Sequence, residues 1–220
     1  MKIQERLSDS DMQRIKDAVA VAESKISGEI VPVIVERSGR YSIASYKGAV
    51  IAASFAFLVM ILLDRYILTS ASNALFYDPV FIFLIVVTAG VIGALVPRAS
   101  DSLKRFLIGK GYLANTTRQR AENAFLEEEV FNTKFRTGIM IFISFFEHHV
   151  IVMADKGISK MVEQKQWDKI VSDLIAKIRE GHIVEGLEIA IRHCGDILLE
   201  KGFVKRDDDI NELRDDLRID

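Results

Sequence analysis

Carboxylates carry the most chemical promise in this chain. The run Asp207-x-Asp209-x-Asn211 matches the opening of a calcium loop, in which alternate oxygen-bearing side chains supply a hard cation. The match ends there, because the sixth position is Glu212 where that loop needs glycine and the twelfth is Arg218 where it needs a bidentate glutamate. An EF-hand is excluded. Asp155 stands at the exit of an apolar run, before Lys156-Gly157, where polar ligands gather in α/β sandwiches. If the acidic tail folds back to it, Asp155, Asp208, Asp209 and Glu212 together offer the oxygens that Ca²⁺ or Mg²⁺ prefers. The plainer reading is a solubilising tail and a turn aspartate. Arg136-Thr137 is the other candidate, since an arginine there could hold a phosphate or carboxylate through two parallel hydrogen bonds. Structurally it would cap the preceding helix or pair with Glu29.

Other chemistries find no support. The adjacent His148 and His149 point to opposite faces of a strand, and His182 and His193 lack zinc-ligand spacing, so no zinc site is expected. Glu147-His148-His149 reads as a solvated hairpin turn. "IGKGYLANT" misses the phosphate-wrapping spacing, no G-x-S-x-G elbow is present, and no residue stands out as a nucleophile. Cys194 lies on an apolar helical stripe and reads as core; as the single cysteine it excludes an internal disulfide and fits a reducing compartment. No nucleic-acid partner is expected.

The elements that position these residues include two charge-free runs, 48–63 and 80–96. Each is a little short of the ~20 apolar residues that cross a bilayer. Lys47 and Arg65 can snorkel, with Tyr46, Tyr66 and Tyr77 as interfacial anchors, so the reading is a transmembrane hairpin with helices over about 48–66 and 78–96. Arg37, Arg40 and Lys47 precede it and Arg98, Lys104, Arg105 and Lys110 follow, whereas the connection carries only Arg65. The positive-inside rule therefore predicts a two-pass protein of the inner or plasma membrane, with both termini and the folded domain cytoplasmic. The amino terminus has no apolar signal core. Residues 99–110 form either a basic helix along an anionic leaflet or an ordinary link to the domain. Gly90 and Gly93 would permit close helix approach and a homodimer through the hairpin.

Residues 1–40 and 111–220 should fold together as one discontinuous domain. An amphipathic helix opens at Ser8 with Asp11 as its capping partner and stops at Gly28. "EIVPVIVE" follows as a strand that Pro32 makes an edge strand or a bulge. "TTRQRAENAFLEEEVF" is a crossover helix into a second strand, parallel to the first, and the apolar runs 138–146 and 150–154 make a β-hairpin. Two apolar stripes, one from Trp167 to Ile178 and one from Leu187 to Leu198, give closing helices. The acidic end is too polar for the core. The fold class is α/β: a small mixed sheet flanked by helices, with the hairpin inserted after the first strand.

"SGE" at 27–29, "FRTGIMIFISFFEHHVIVMADKGI" at 135–158, Trp167 and "DDDINEL" at 207–213 resemble the TPM-domain family of thylakoid, bacterial and receptor-accessory proteins, over roughly residues 5–36 and 113–215. The resemblance implies a compact α/β sandwich, usually membrane-tethered. Phosphatase activity or divalent-cation binding is attributed to some members and accessory or repair roles to others. This chain departs from the usual arrangement in carrying a membrane hairpin inside the domain and His148-His149 where a basic residue is common. Two functions follow as expectations: a membrane-anchored binding or accessory module for a membrane-protein partner, or a divalent-metal-dependent phosphatase of low specificity.

Overall fold

Ser8 opens the first helix in the computed structural model, which describes residues 7–66, 78–206 and 210–219. Its side chain accepts from the Asp11 backbone while Asp11 reaches back to the Ser8 N–H, so two orphan donors of the first turn are satisfied reciprocally. Helix α1, Asp9–Glu23, buries Ile15, Val19 and Ala22 at helical spacing. It ends at Ser24 and not at Gly28, because Ile26 leaves the helix to bridge Val204. The chain splits into two compact units, Met1–Gly39 with Ala114–Asp220, and Arg40–Leu113.

The first unit is built on a four-stranded mixed sheet in the order β3-β2-β1-β4. Strand β1, Glu29–Val35, pairs in parallel with β2, Gly138–Ser144, in unbroken register from Glu29 opposite Gly138 to Val35 opposite Ser144. Strand β3, His149–Ala154, returns antiparallel from the hairpin. All fourteen residues of β1 and β2 are buried, as expected of central strands covered on both faces. Alternation divides them: Ile30, Ile34, Ile139 and Ile141 join α1 and the closing helices α7, Gln164–Arg179, and α8, Ile183–Glu200, whereas Val31, Val33, Met140 and Phe142 meet Ala121 and Ala124 of helix α5, Lys110–Glu127. A short helix α6, Lys156–Ser159, leads out of β3.

Three expectations are corrected. Strand β1 is internal, since Arg218–Ile219 forms β4 beside it; Pro32 is tolerated because β4 reaches only Val33 and Ile34. The acidic tail does join the core: Leu217 is 8% exposed, and the Arg218 guanidinium donates to Glu128 at 2.9 Å and to the Arg214 carbonyl at 2.6 Å. Backbone pairing and the buried Leu217 dock the tail. The turn at Glu147 is not fully solvated either. Glu147 is buried, accepting the Ser38 N–H at 2.8 Å and the Ser144 hydroxyl.

The second unit holds α2, Ile43–Tyr66, α3, Pro79–Ala99, and α4, Asp101–Ile108. Helices α2 and α3 are long and apolar enough to cross a membrane, and their large side chains, among them Phe55, Leu58, Phe83 and Leu84, stand exposed. Tyr77, one of the proposed anchors, lies outside the described residues. Asp78 caps α3 ahead of Pro79. Small residues bring the pair together: a Cβ on Gly93 would sit 2.4 Å from the Ala52 Cβ, and one on Gly48 would sit 2.2 Å from the Gly93 carbonyl oxygen. Gly93 thus serves packing within the hairpin. Ser100 caps α4, and Lys47 Nζ donates to the Leu107 carbonyl at 2.8 Å and that of Ile108 at 3.3 Å, satisfying the carboxyl end of α4.

Because β1 and β2 pair along their full length on either side of residues 40–113 in the sequence, the first unit is expected to fold without them. Joining Gly39 to Gly111 through a short Gly/Ser linker should give a soluble monomer at a cost of about 1 kcal/mol or less, since closure entropy grows slowly with loop length. Circular dichroism and gel filtration test this. An aggregated or unfolded product would refute the discontinuous domain.

Candidate ligand site at the amino end of the parallel strands

The sequence-predicted residues that can be described gather around the loop 128–137, which feeds β2. Gly138 starts the strand against Val130, whose carbonyl oxygen would lie 1.9 Å from any Cβ placed there, so only glycine fits. The loop is tied internally: the Arg136 N–H donates to the Thr133 carbonyl at 3.1 Å and the Thr137 N–H to Thr133 Oγ1 at 3.0 Å. Arg136 adopts a left-handed φ of 57°, which turns its carbonyl toward the Gly157 N–H at 3.0 Å. A Cβ at Gly157 would meet that oxygen at 2.5 Å.

This arrangement sets Arg136 against Asp155. The guanidinium Nε lies 2.9 Å from Asp155 Oδ2 as an ion pair without hydrogen-bond alignment, and it covers the Phe131 ring at 5.7 Å. Asp155 Oδ1 accepts the Lys156 N–H at 2.7 Å and its carbonyl accepts from Ile158 and Ser159, so the aspartate also starts α6. Arg136 pairs with neither Glu29 nor a helix end. Its side chain stays half exposed, leaving guanidinium surface for an anion. Thr137, proposed beside it, is only 4% exposed; its carbonyl accepts the Glu29 N–H at 3.2 Å, so it serves the strand ladder.

Glu212 comes to the same loop, taking the Lys134 N–H on both oxygens at 2.9 and 3.1 Å. The Lys134 ammonium and the Arg206 guanidinium both approach the Phe135 ring, at 5.0 and 4.9 Å from its centroid. Glu212 thus brings the tail to this loop, while Asp208 and Asp209 lie outside the described residues. Among the described residues, no three His, Cys, Asp or Glu side chains converge as a metal donor set.

Two further carboxylates matter here: Glu29, expected only as a partner for Arg136, and Glu23, which the sequence reading did not single out. Glu29 accepts the N–H groups of Glu212 and Leu213 at 3.2 and 3.3 Å, anchoring the tail beside β1. Glu23, 7% exposed, gives one oxygen to the Ile30 N–H at 2.7 Å, and its second oxygen has no hydrogen-bond partner among the described residues. Burial pushes its carboxyl up to about 8, and the Glu29 charge adds to the shift. The signal was available: Glu23 stands four residues after Val19 and three before Ile26, on the apolar face. Cys194 is fully buried, its thiol pushed up to about 12, which suits a core residue and not a nucleophile.

The exit of β3 lies at the amino ends of β1 and β2, because β3 runs antiparallel. The carboxyl ends, where open α/β sheets more often take ligands, hold a separate groove of about 470 Å³ bordered by Phe145, His148, His149 and Arg179. Spacing alone could not reveal it, since α7 supplies one wall.

No family model matches the chain, and none of the curated proteins does. Among solved structures, the chain is similar to the NMR structure of the BA42 protein from the psychrophilic bacterium Bizionia argentinensis, with a TM-score of 0.60 and 19% identity, covering 100% of this chain and 99% of that one. At that identity the likeness is one of fold alone, and it agrees with the α/β architecture described above.

Proposed function

We propose that the chain is a two-pass protein of the inner or plasma membrane whose TPM-like α/β unit lies in the cytoplasm, with both termini, and serves as a binding or accessory module for a membrane-protein partner. The observation that carries this reading is the insertion: two helices of membrane-crossing length and composition stand between β1 and β2, which nevertheless pair in full register. A chain that crosses twice returns to the side it left. Basic residues at both flanks, against Arg65 alone among the cations of the connection, support a cytoplasmic side. A binding role is favoured over a metal-dependent phosphatase because Asp155 is already engaged by Arg136 and by α6, whereas an enzyme needs a preorganised donor cluster in a cleft.

The test uses the full chain in native membranes. It should resist alkaline extraction, both its termini should be cleaved by protease only from the cytoplasmic side, and a membrane protein should co-purify with it in near-stoichiometric amount in mild detergent. Termini found on opposite sides, or recovery of the chain alone, would overturn the proposal. Hydrolysis of simple phosphate esters that requires added Mg²⁺ or Ca²⁺ would favour the phosphatase.

A further inference from the structure

The groove of about 470 Å³ at the carboxyl end of β2, beside that of β1, opens at the margin of the α/β core. That volume lies within the range of small-molecule sites, and ligands of open α/β sheets gather outside the carboxyl ends of the strands. One part of its lining is the β2–β3 hairpin. Ile143 and Val150 stand opposite one another in the ladder, 2% and 9% exposed, on the face that packs with α7. Ile175 and Ile178 of α7 supply another part, and Ile183 borders the groove where α7 turns into α8. The apolar surface is therefore mainly aliphatic.

Arg179, in the last turn of α7, stands exposed at the rim, and no acidic side chain borders the groove. The tasks that commonly occupy an arginine at a helix end are performed here by other groups. The carbonyls of Ala176, Lys177 and Ile178 accept the N–H groups of Glu180, His182 and Gly181 at 3.1, 2.9 and 3.1 Å, so the helix end is closed by its own main chain. Two acids close in sequence, Glu180 and Glu185, both lie against Lys177 Nζ, at 3.8 and 2.8 Å. Among the described residues, Arg179 itself has neither a hydrogen bond nor an ion pair. The Ser144 hydroxyl, which also borders the groove, is spent: it accepts from Ser38 at 2.9 Å and donates to Glu147.

We infer that this groove binds a monocarboxylate with an apolar tail, its carboxylate held by the Arg179 guanidinium and its tail lying over Ile143, Val150, Ile175 and Ile178. A planar guanidinium matches a carboxylate through two parallel N–H···O bonds, and the aliphatic surface beside it favours burial of methylene groups. One cation suits one negative charge, and the aliphatic lining disfavours a ligand that is charged along its length. The inference concerns the α/β unit alone and stands apart from the membrane reading of α2 and α3.

Full-length protein purified in a neutral detergent provides the test, with thermal unfolding and equilibrium dialysis against a protein-free detergent blank as readouts. Octanoate should bind saturably and raise the melting temperature. Octanamide, which keeps the tail without the charge, and acetate, which keeps the charge without the tail, should each bind at least about tenfold more weakly, as expected for loss of charge-assisted hydrogen bonds or of several buried methylene groups. Arg179→Gln should weaken octanoate binding by a similar factor and leave octanamide unchanged, whereas Ile183→Trp should block both by filling the groove. Lys165→Gln, which removes an exposed cation near the other end of α7, should leave octanoate binding intact. Octanoate that does not saturate at millimolar concentration would overturn the inference outright. Equal binding of octanamide would overturn carboxylate selection, equal binding of acetate would overturn the apolar tail, and unchanged octanoate binding in both groove variants would overturn the location.

Discussion

Trp167→Ala should cost the α/β unit about 3–5 kcal/mol, the range for removing a large aromatic from a core. Trp167 is 6% exposed on α7 and packs in the same cluster as Ile170 and Leu174 of that helix and Ile139 and Ile141 of β2. Truncation forfeits the transfer free energy of the indole and leaves a cavity that neighbours on a sheet and a second helix cannot fully close. Domains are stable by about 5–15 kcal/mol, so the loss would consume a large share of the whole. As the only tryptophan, the residue also reports on itself. Native fluorescence should be blue-shifted and should move to the solvent value on unfolding in urea. A native spectrum already like free tryptophan, or a cost below about 1 kcal/mol, would show that this face of α7 is not core.

Glu23→Gln should remove a stability loss of several kcal/mol that the parent chain suffers as pH rises. In the unfolded chain this carboxyl releases its proton near 4.5; in the folded chain it holds it up to about 8. Between those values the folded state binds more protons than the unfolded one, so the slope of unfolding free energy with pH is negative. The contribution is present in full below about 4.5 and is lost progressively toward pH 8, at up to about 1.4 kcal/mol per pH unit. Glutamine has no charge to bury, and its amide oxygen can still accept the Ile30 N–H. The variant should therefore match the parent near pH 5 and exceed it by about 2–5 kcal/mol at pH 9. Urea unfolding at pH 5, 7 and 9 is the measurement. A variant that loses stability in parallel with the parent would assign the slope to another group.

The position of Glu23 gives that titration a structural reach. Ionising it places a second charge near Glu29, whose carboxylate holds the Glu212 and Leu213 N–H groups and so anchors the tail that ends in β4. Like-charge crowding at one end of β1 thus bears on how the carboxyl-terminal segment docks.

Much of this protein was legible in the order of its residues. Charge-free runs, the Ser8–Asp11 cap, the β-branched stretches and the helical stripes are local patterns set by 3.6- and 2-residue periods, and they gave α1, the long helix pair, the β2–β3 hairpin and the parallel β1–β2 pairing across the insertion. Tertiary structure alone decided what depends on partners distant in sequence. A two-residue strand such as β4 has no periodicity to read, because its ladder is completed by Val33 and Ile34, far from it in the chain. Pro32 looked like an edge marker because a missing donor is a local fact, while whether a neighbour needs that donor is not. Arg136 found Asp155 and not Glu29 because a left-handed turn and the close approach of Gly157 fix where the guanidinium points. The burial that raises the Glu23 carboxyl, likewise, is a property of the packing around it and not of its own covalent chemistry.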